Sequence, residues 1–221
     1  VSTLVLRCGD VPAPITLAAL TTIPTSAVPT ATEFDENVYP HLIASAASRL
    51  VVLGDDAALA AILTRLLRTG RLELELGYVP AGKSPAGRIF GVGYGTAAAR
   101  LAVDGTAQPT PLIRDDTGAA LVGRAVITGV DGSPLTGEAY CDDTLVFDGT
   151  GNELRIEPTT ALPGLAVPVP RRFARRPRLV TGRAVQLGTP GAVVTRDGVT
   201  AARAVTRASF YCHDEQWLLV R

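Results

Sequence analysis

The stretch Val51-Val52-Leu53-Gly54-Asp55-Asp56-Ala57-Ala58-Leu59 constrains the fold more than any other. A β-branched apolar run stops at a glycine and two acids, and a helical pattern starts at once, with Leu59, Ile62, Leu63, Leu66 and Leu67 on one face at helical spacing. These residues predict a strand, a tight turn and a helix. In open α/β sheets the carboxyl end of such a strand, where the chain turns into a helix, is where ligands sit, so the turn is the first candidate site.

The surrounding chain extends the pattern. Thr3 to Arg7 reads as a short buried strand, and Ile15 to Leu20 fits either a helical turn or a strand. Thr21 to Pro40, rich in Pro, Thr and Ser, is expected to be mostly loop. A short helix over His41 to Ala47 leads into a strand at 50–53, then a helix from about Ala57 to Arg68 that Gly70 ends. Arg71 to Leu76 alternates leucine with charge and continues extended to Pro80. Short helices follow over Pro85 to Phe90 and Thr96 to Val103. Strand and helix alternating in this way predict a sheet covered by helices. Beyond Gln108 the character changes to short extended runs at 119–126, 145–147, 154–156, 178–180, 183–187 and 192–195, separated by Asp-Gly turns. The expected architecture is α/β plus all-β: a three-layer nucleotide-binding-like domain over residues 1–107, then an antiparallel β-sandwich over 108–207, with 208–221 packing back on the first domain.

Composition narrows the function classes. Lys and Arg number 21 and so do Asp and Glu, so no net charge draws the molecule to nucleic acid. The three cysteines, Cys8, Cys141 and Cys212, are far apart and odd in number, which argues against a disulfide framework. No segment approaches the roughly 18 apolar residues of a membrane span, and no leader pattern precedes the first strand, so a cytoplasmic protein is expected. His41 and His213 lack neighbours at metal-ligand spacing, and no Ser stands in G-x-S-x-G. Gly77 to Ser84 satisfies G-x-x-x-x-G-K-[ST], which in a P-loop wraps phosphate with backbone N–H groups. Pro80 removes one of those groups, and Pro85, Gly87 and Gly91 interrupt the helix that should follow, so a P-loop is the least favoured reading. Gly91-Val92-Gly93-Tyr94-Gly95 lacks the full dinucleotide spacing and reads as a loop between helices. The acid pairs Asp115-Asp116 and Asp142-Asp143 read as turn residues. The basic cluster from Arg171 to Arg178 could meet phosphate or an anionic membrane surface, or be a solvated loop.

Taken in order, Val51 to Leu59, Leu76 to Ser84 and Thr195 to Val199 resemble the diacylglycerol kinase catalytic family of lipid kinases, which shares its fold with the NAD kinases. Gly54 and Asp56 fit the family's G-G-D-G-T turn, with Asp55, Ala57 and Ala58 in place of glycine, glycine and threonine. Pro80 and Gly82 fit the start of P-x-G-T-G-N-D, where Lys83 and Ser84 then depart from it. Asp197 and Gly198 fit D-G-E, with Val199 where the family's general base would stand. The resemblance implies an ATP-dependent transfer of phosphate to a lipid hydroxyl, in a cleft between two domains. Gly54, Asp55, Asp56, Gly82, Lys83 and Ser84 would lie at the nucleotide, Asp56 at Mg²⁺, and Asp197 at the acceptor. The departures admit weak or lost activity, and with it a non-catalytic module that binds a nucleotide, a lipid or another small molecule on the same scaffold. Exposed strands of the β domain could pair in a homodimer.

Overall fold

In the computed structural model, which describes residues 2–170 and 176–221, the chain divides into two units, one running to Thr110 together with Glu215–Arg221, the other spanning Pro111–Asp214. Arg171 to Arg175, most of the basic cluster, lie outside the described residues. Among the described residues no helix is long and apolar enough to cross a membrane.

The first unit contains β1 (Thr3–Cys8), β2 (Thr22–Thr25), α1 (Ala31–Glu33), α2 (Tyr39–Ala44), β3 (Arg49–Gly54), α3 (Asp56–Arg68), β4 (Glu75–Pro80), α4 (Pro85–Phe90) and α5 (Gly95–Asp104). The strands pair in the order β2-β1-β3-β4, every pairing parallel. Leu218 and Leu219 continue the sheet beyond β4, also in parallel. A parallel sheet covered on both faces needs strands without a polar side, and every residue of β3 is buried. Val5, Val51, Leu53 and Val79 form one face with Ala98, Ala99 and Ala102 of α5. Leu4, Leu6, Leu50 and Val52, of the opposite alternation, are equally buried. The predicted helix after β3 begins at Asp56, buries Leu59, Ile62, Leu63 and Leu66, and ends before Gly70 at φ +64°.

Two stretches depart from the sequence expectation. Thr21 to Pro40 is not mostly loop: it holds the edge strand β2, where Pro24 loses no needed N–H, and a helical segment over Ala31 to Val38 that buries Phe34 and Val38. Thr30 caps that segment by accepting the Glu33 N–H at 3.1 Å. Arg71 to Leu74 forms a turn that buries Leu72 and Leu74, and β4 starts only at Glu75.

Arg49 is the one charged residue of the central apolar strand, and its guanidinium is buried. It bonds Glu75 Oε2 at 2.7 Å from Nε and the carbonyls of Ala102, Val103 and Gly105, so it caps the carboxyl end of α5. The chain's last residues belong to this unit. Trp217, 1% exposed, meets Phe90 edge to face at 5.5 Å between ring centroids, and Arg221 exchanges backbone hydrogen bonds with Thr106.

The second unit is antiparallel β structure: most of β5 (Ala107–Asp115), then β6 (Ala120–Leu121), β7 (Ala125–Gly129), β8 (Leu135–Cys141), β9 (Thr144–Gly151), β10 (Leu154–Pro158), β11 (Leu165–Val169), β12 (Arg178–Gly182), β13 (Ala184–Arg196), β14 (Val199–Thr200) and the first part of β15 (Val205–Val220). The runs expected at 183–187 and 192–195 are one strand, β13, with an irregularity between Gly188 and Ala192. β13 organises the unit by pairing with β7, β8 and β15. Ile127, Leu135, Leu154, Val185, Leu187 and Phe210 anchor one core beneath these strands.

Candidate functional site

The chain passes from β1 to β2 on one side of it and then crosses over to β3 on the other, so the sheet's switch point lies between the ends of β1 and β3. The first sequence-predicted turn is therefore where ligands sit in such sheets, and the backbone there is closely packed. A Cβ on Gly54 would meet the Cys8 Cβ at 2.9 Å and the Ala58 Cβ at 3.1 Å, so glycine is required for the approach of β1 and α3. Asp55 is the N-cap of α3, its Oδ1 accepting the Ala58 N–H at 2.9 Å. Asp56 points inward, 5% exposed. Its Oδ1 accepts the Tyr78 hydroxyl at 2.7 Å and its Oδ2 accepts the Ala86 N–H at 3.0 Å. Burial, and then the charge and hydrogen bond of Asp56, push the Tyr78 phenol far above its ordinary pKa, so it remains a donor. Burial also pushes the Cys8 thiol up to about 11, with the Asp55 and Glu33 carboxylates adding to the shift and a hydrogen bond with Thr25 opposing it.

The second turn, from β4 into α4, is tied to the first. Ala81 N–H donates to the Gly54 carbonyl at 2.9 Å. Gly82 has open space around its backbone and Lys83 is exposed. Ser84 is the N-cap of α4, its Oγ accepting the Gly87 N–H at 3.0 Å, and it also hydrogen-bonds Tyr78. Asp56, Tyr78, Ser84 and the start of α4 thus form one connected polar group joining the two turns. Tyr78 is the member that sequence reasoning missed. The one signal in the sequence is general: a tyrosine in a strand of a sheet covered by helices needs a partner for its hydroxyl.

The third predicted element lies in the second unit. Asp197 and Gly198, at φ +47° and +88°, form the two-residue turn between β13 and β14. The Asp197 carboxylate accepts the N–H groups of Val122, Gly123 and Arg124 at 3.0, 2.8 and 2.9 Å. Val199 is 48% exposed. A cavity of about 70 Å³ nearby has Val194, Val205, Ala208 and Phe210 in its lining, with Arg196 and Arg207; it does not include Asp197. Ligand pockets ordinarily hold roughly 300–1,000 Å³, so this one is too small for a nucleotide or a lipid.

Mg²⁺ takes carboxylate oxygens and keeps several waters, which requires an acid with an open edge. Asp56 is buried with both oxygens engaged, and among the described residues no group of three or more His, Cys, Asp or Glu could hold a metal ion. Asp56, the residue the resemblance implies at Mg²⁺, therefore does not fit it, while Asp55 beside it is exposed and accepts the Ala58 N–H through Oδ1. For the phosphates of ATP the first turn offers the Asp55 carboxylate at the helix N-terminus, which opposes an anion. The second offers Lys83 and the open backbone of Gly82.

A parallel sheet in this order, followed by an antiparallel β unit whose long final strand returns to the first unit, defines the fold class that diacylglycerol kinases and NAD kinases share. A diacylglycerol kinase from Bacillus anthracis str. Sterne matches 99% of this chain over 96% of its own, at a TM-score of 0.71 and 15% identity. An NAD kinase from Archaeoglobus fulgidus, solved in complex with ATP, matches 99% over 93% at 0.61 and 12% identity. No family model matches the sequence, and no curated protein matches it. The resemblance carried by the three motifs is borne out at the level of fold.

Proposed function

We propose that this chain is a non-catalytic member of the kinase fold, a ligand-binding or regulatory module on the scaffold of a lipid kinase. The observation that carries this reading is the hydrogen bonding of the motif acids: Asp55 caps α3, Asp56 is buried between Tyr78 and Ala86, and Asp197 holds three backbone N–H groups. Phosphoryl transfer is mainly positioning and electrostatic stabilisation of charge, with a base or orienting group for the nucleophile. Val199 accepts no proton, and general-base catalysis is commonly worth about 10²–10⁴-fold.

A second reading, a weak ATP-dependent lipid kinase, is favoured by Lys83 and the open Gly82 turn and by the likeness to an NAD kinase solved with ATP. On either reading a nucleotide would engage the β4–α4 turn through Lys83, and the Arg176 to Arg178 end of the basic cluster is where contact with an anionic surface would be sought. Calorimetric titration with ATP, with and without Mg²⁺, paired with a labelled-phosphate assay on mixed lipids, separates the two. The module reading expects no lipid product. Turnover that Asp197→Asn abolishes would establish the kinase instead, and Lys83→Ala leaving ATP affinity unchanged would remove Lys83 from the site.

A further inference from the structure

We infer that the second unit carries a site for a small apolar α-amino acid in the hollow between β5, β13 and β15, with Arg207 taking the carboxylate and Asp116 the ammonium. The inference goes beyond the proposed function and holds or fails whether or not phosphate is transferred. The hollow is apolar inside: Phe210 and Ala208 of β15 and Val194 of β13 are buried there, with Val205 half-buried beside them. One wall is a charge pair that is already satisfied. Asp115, 3% exposed, accepts the Thr117 N–H, the Thr117 hydroxyl and the Ala119 N–H through Oδ1 at 3.0, 2.7 and 3.0 Å. Its Oδ2 pairs with Arg196, which also donates to the Thr117 hydroxyl at 3.3 Å. Satisfied in this way, the pair stiffens the wall and leaves the Asp115 oxygens little to offer a ligand.

The other two charges of the lining stand differently. Arg207 and Asp116 are both exposed, and among the described residues neither forms an ion pair or a side-chain hydrogen bond, with the other or with a third group. The Asp116 N–H donates to the Ser209 carbonyl at 3.2 Å, which holds the turn after β5 against β15 two residues from Arg207. A free cation and a free acid therefore flank one apolar hollow. Ligand pockets are apolar in bulk, with a few polar groups that fix orientation. A simple anion would satisfy Arg207 and face Asp116, and a simple cation the reverse. A free α-amino acid carries both charges on one carbon, with its side chain beside them. The volume sets the size of that side chain. An apolar cavity of about 150 Å³ holds benzene, so about 70 Å³ admits the branched chain of valine or leucine and no aromatic ring.

The test is titration of the full wild-type chain with leucine, followed by backbone amide shifts. Isocaproate, which lacks the ammonium, isoamylamine, which lacks the carboxylate, and phenylalanine are titrated alongside. Leucine should give saturable shifts at the Asp116, Thr117 and Ala208 amides. The two analogues should bind at least about tenfold more weakly, each lacking one charge-assisted bond, and phenylalanine should give no saturable shift there. Arg207→Ala and Asp116→Ala, at exposed positions, should keep wild-type melting and each weaken leucine by at least about tenfold. No saturable shift at tens of millimolar leucine overturns the inference. So does either analogue, or phenylalanine, binding as tightly as leucine, and so does unchanged leucine affinity in either variant. The wild-type comparison of leucine with its analogues decides even if a variant fails to fold. Lipid phosphorylation together with leucine binding would defeat the proposed function and leave this inference standing.

Discussion

The Asp55-Asp56 turn of the first unit and the Asp197-Gly198 turn of the second carry the same resemblance to kinase motifs, and the fold uses their acids in opposite ways. Asp56 is sealed in the interior and joins side chain, helix and strand. Asp197 lies half-buried at a hairpin tip and gathers three successive backbone N–H groups of one loop. One carboxylate is a rivet between elements, the other a clip on a loop. The contrast teaches that a motif acid can persist for reasons of architecture, and that burial decides how much of the fold depends on it.

That contrast sets the order of expected effects. Asp56→Ala removes the acceptor of both the Tyr78 hydroxyl and the Ala86 N–H in the interior. At about 1–3 kcal/mol each the loss should be roughly 2–6 kcal/mol, read as a lower urea midpoint with an unchanged slope. A loss no larger than that of Asp197→Ala would erase the distinction between rivet and clip.

The sealing of the first turn is also legible in pH dependence. The Cys8 thiol is raised from 9.0 to about 11, mainly by burial, so the folded state holds its proton longer than the unfolded chain. A raised pKa of this kind leaves stability intact below pH 9 and removes it as pH rises toward 11. At about 1.4 kcal/mol per pH unit, the loss attributable to Cys8 is on the order of 2–3 kcal/mol. The urea midpoint of the wild type should fall more steeply over that window than that of Cys8→Ala; equal slopes would show that water reaches the turn.

Asp197→Ala is expected to cost about 1–2 kcal/mol, because solvent can replace part of what a half-buried carboxylate supplies. Its signature is local: faster amide exchange at Val122, Gly123 and Arg124, with the core strands unaffected. Global loss of protection would make Asp197 a rivet as well. Val199→Glu, at an exposed hairpin position, should alter stability by less than about 0.5 kcal/mol. On the module reading it also fails to create lipid kinase activity, since Asp56 still has no open edge toward a cation.

Much of the scaffold was legible in local pattern. The apolar run before Gly54, the helical spacing from Leu59 to Leu66 and the change to short extended runs after Gln108 each reflect a periodicity that burial imposes on neighbouring residues. The strands β8 and β11 escaped because Gly137 in one and Pro168 in the other interrupt that pattern. The chemistry of the turns escaped for a different reason. Asp56 meets Tyr78 across 22 positions of sequence, and Asp197 meets Val122 across 75. No local pattern carries such pairings, so a motif match could place the acids on turns without revealing that their oxygens are already engaged. Arg49 is the same case: a charge inside an apolar strand is intelligible only once the carbonyls of α5 stand beside it.

The central claim, that these acids serve the scaffold and not a reaction, is tested most directly by single-turnover phosphate transfer. Wild-type protein in excess over γ-labelled ATP, with Mg²⁺ and mixed lipid vesicles, should yield no labelled lipid above the protein-free control. Labelled lipid whose formation Asp197→Asn abolishes, in a variant with wild-type melting, would contradict the account.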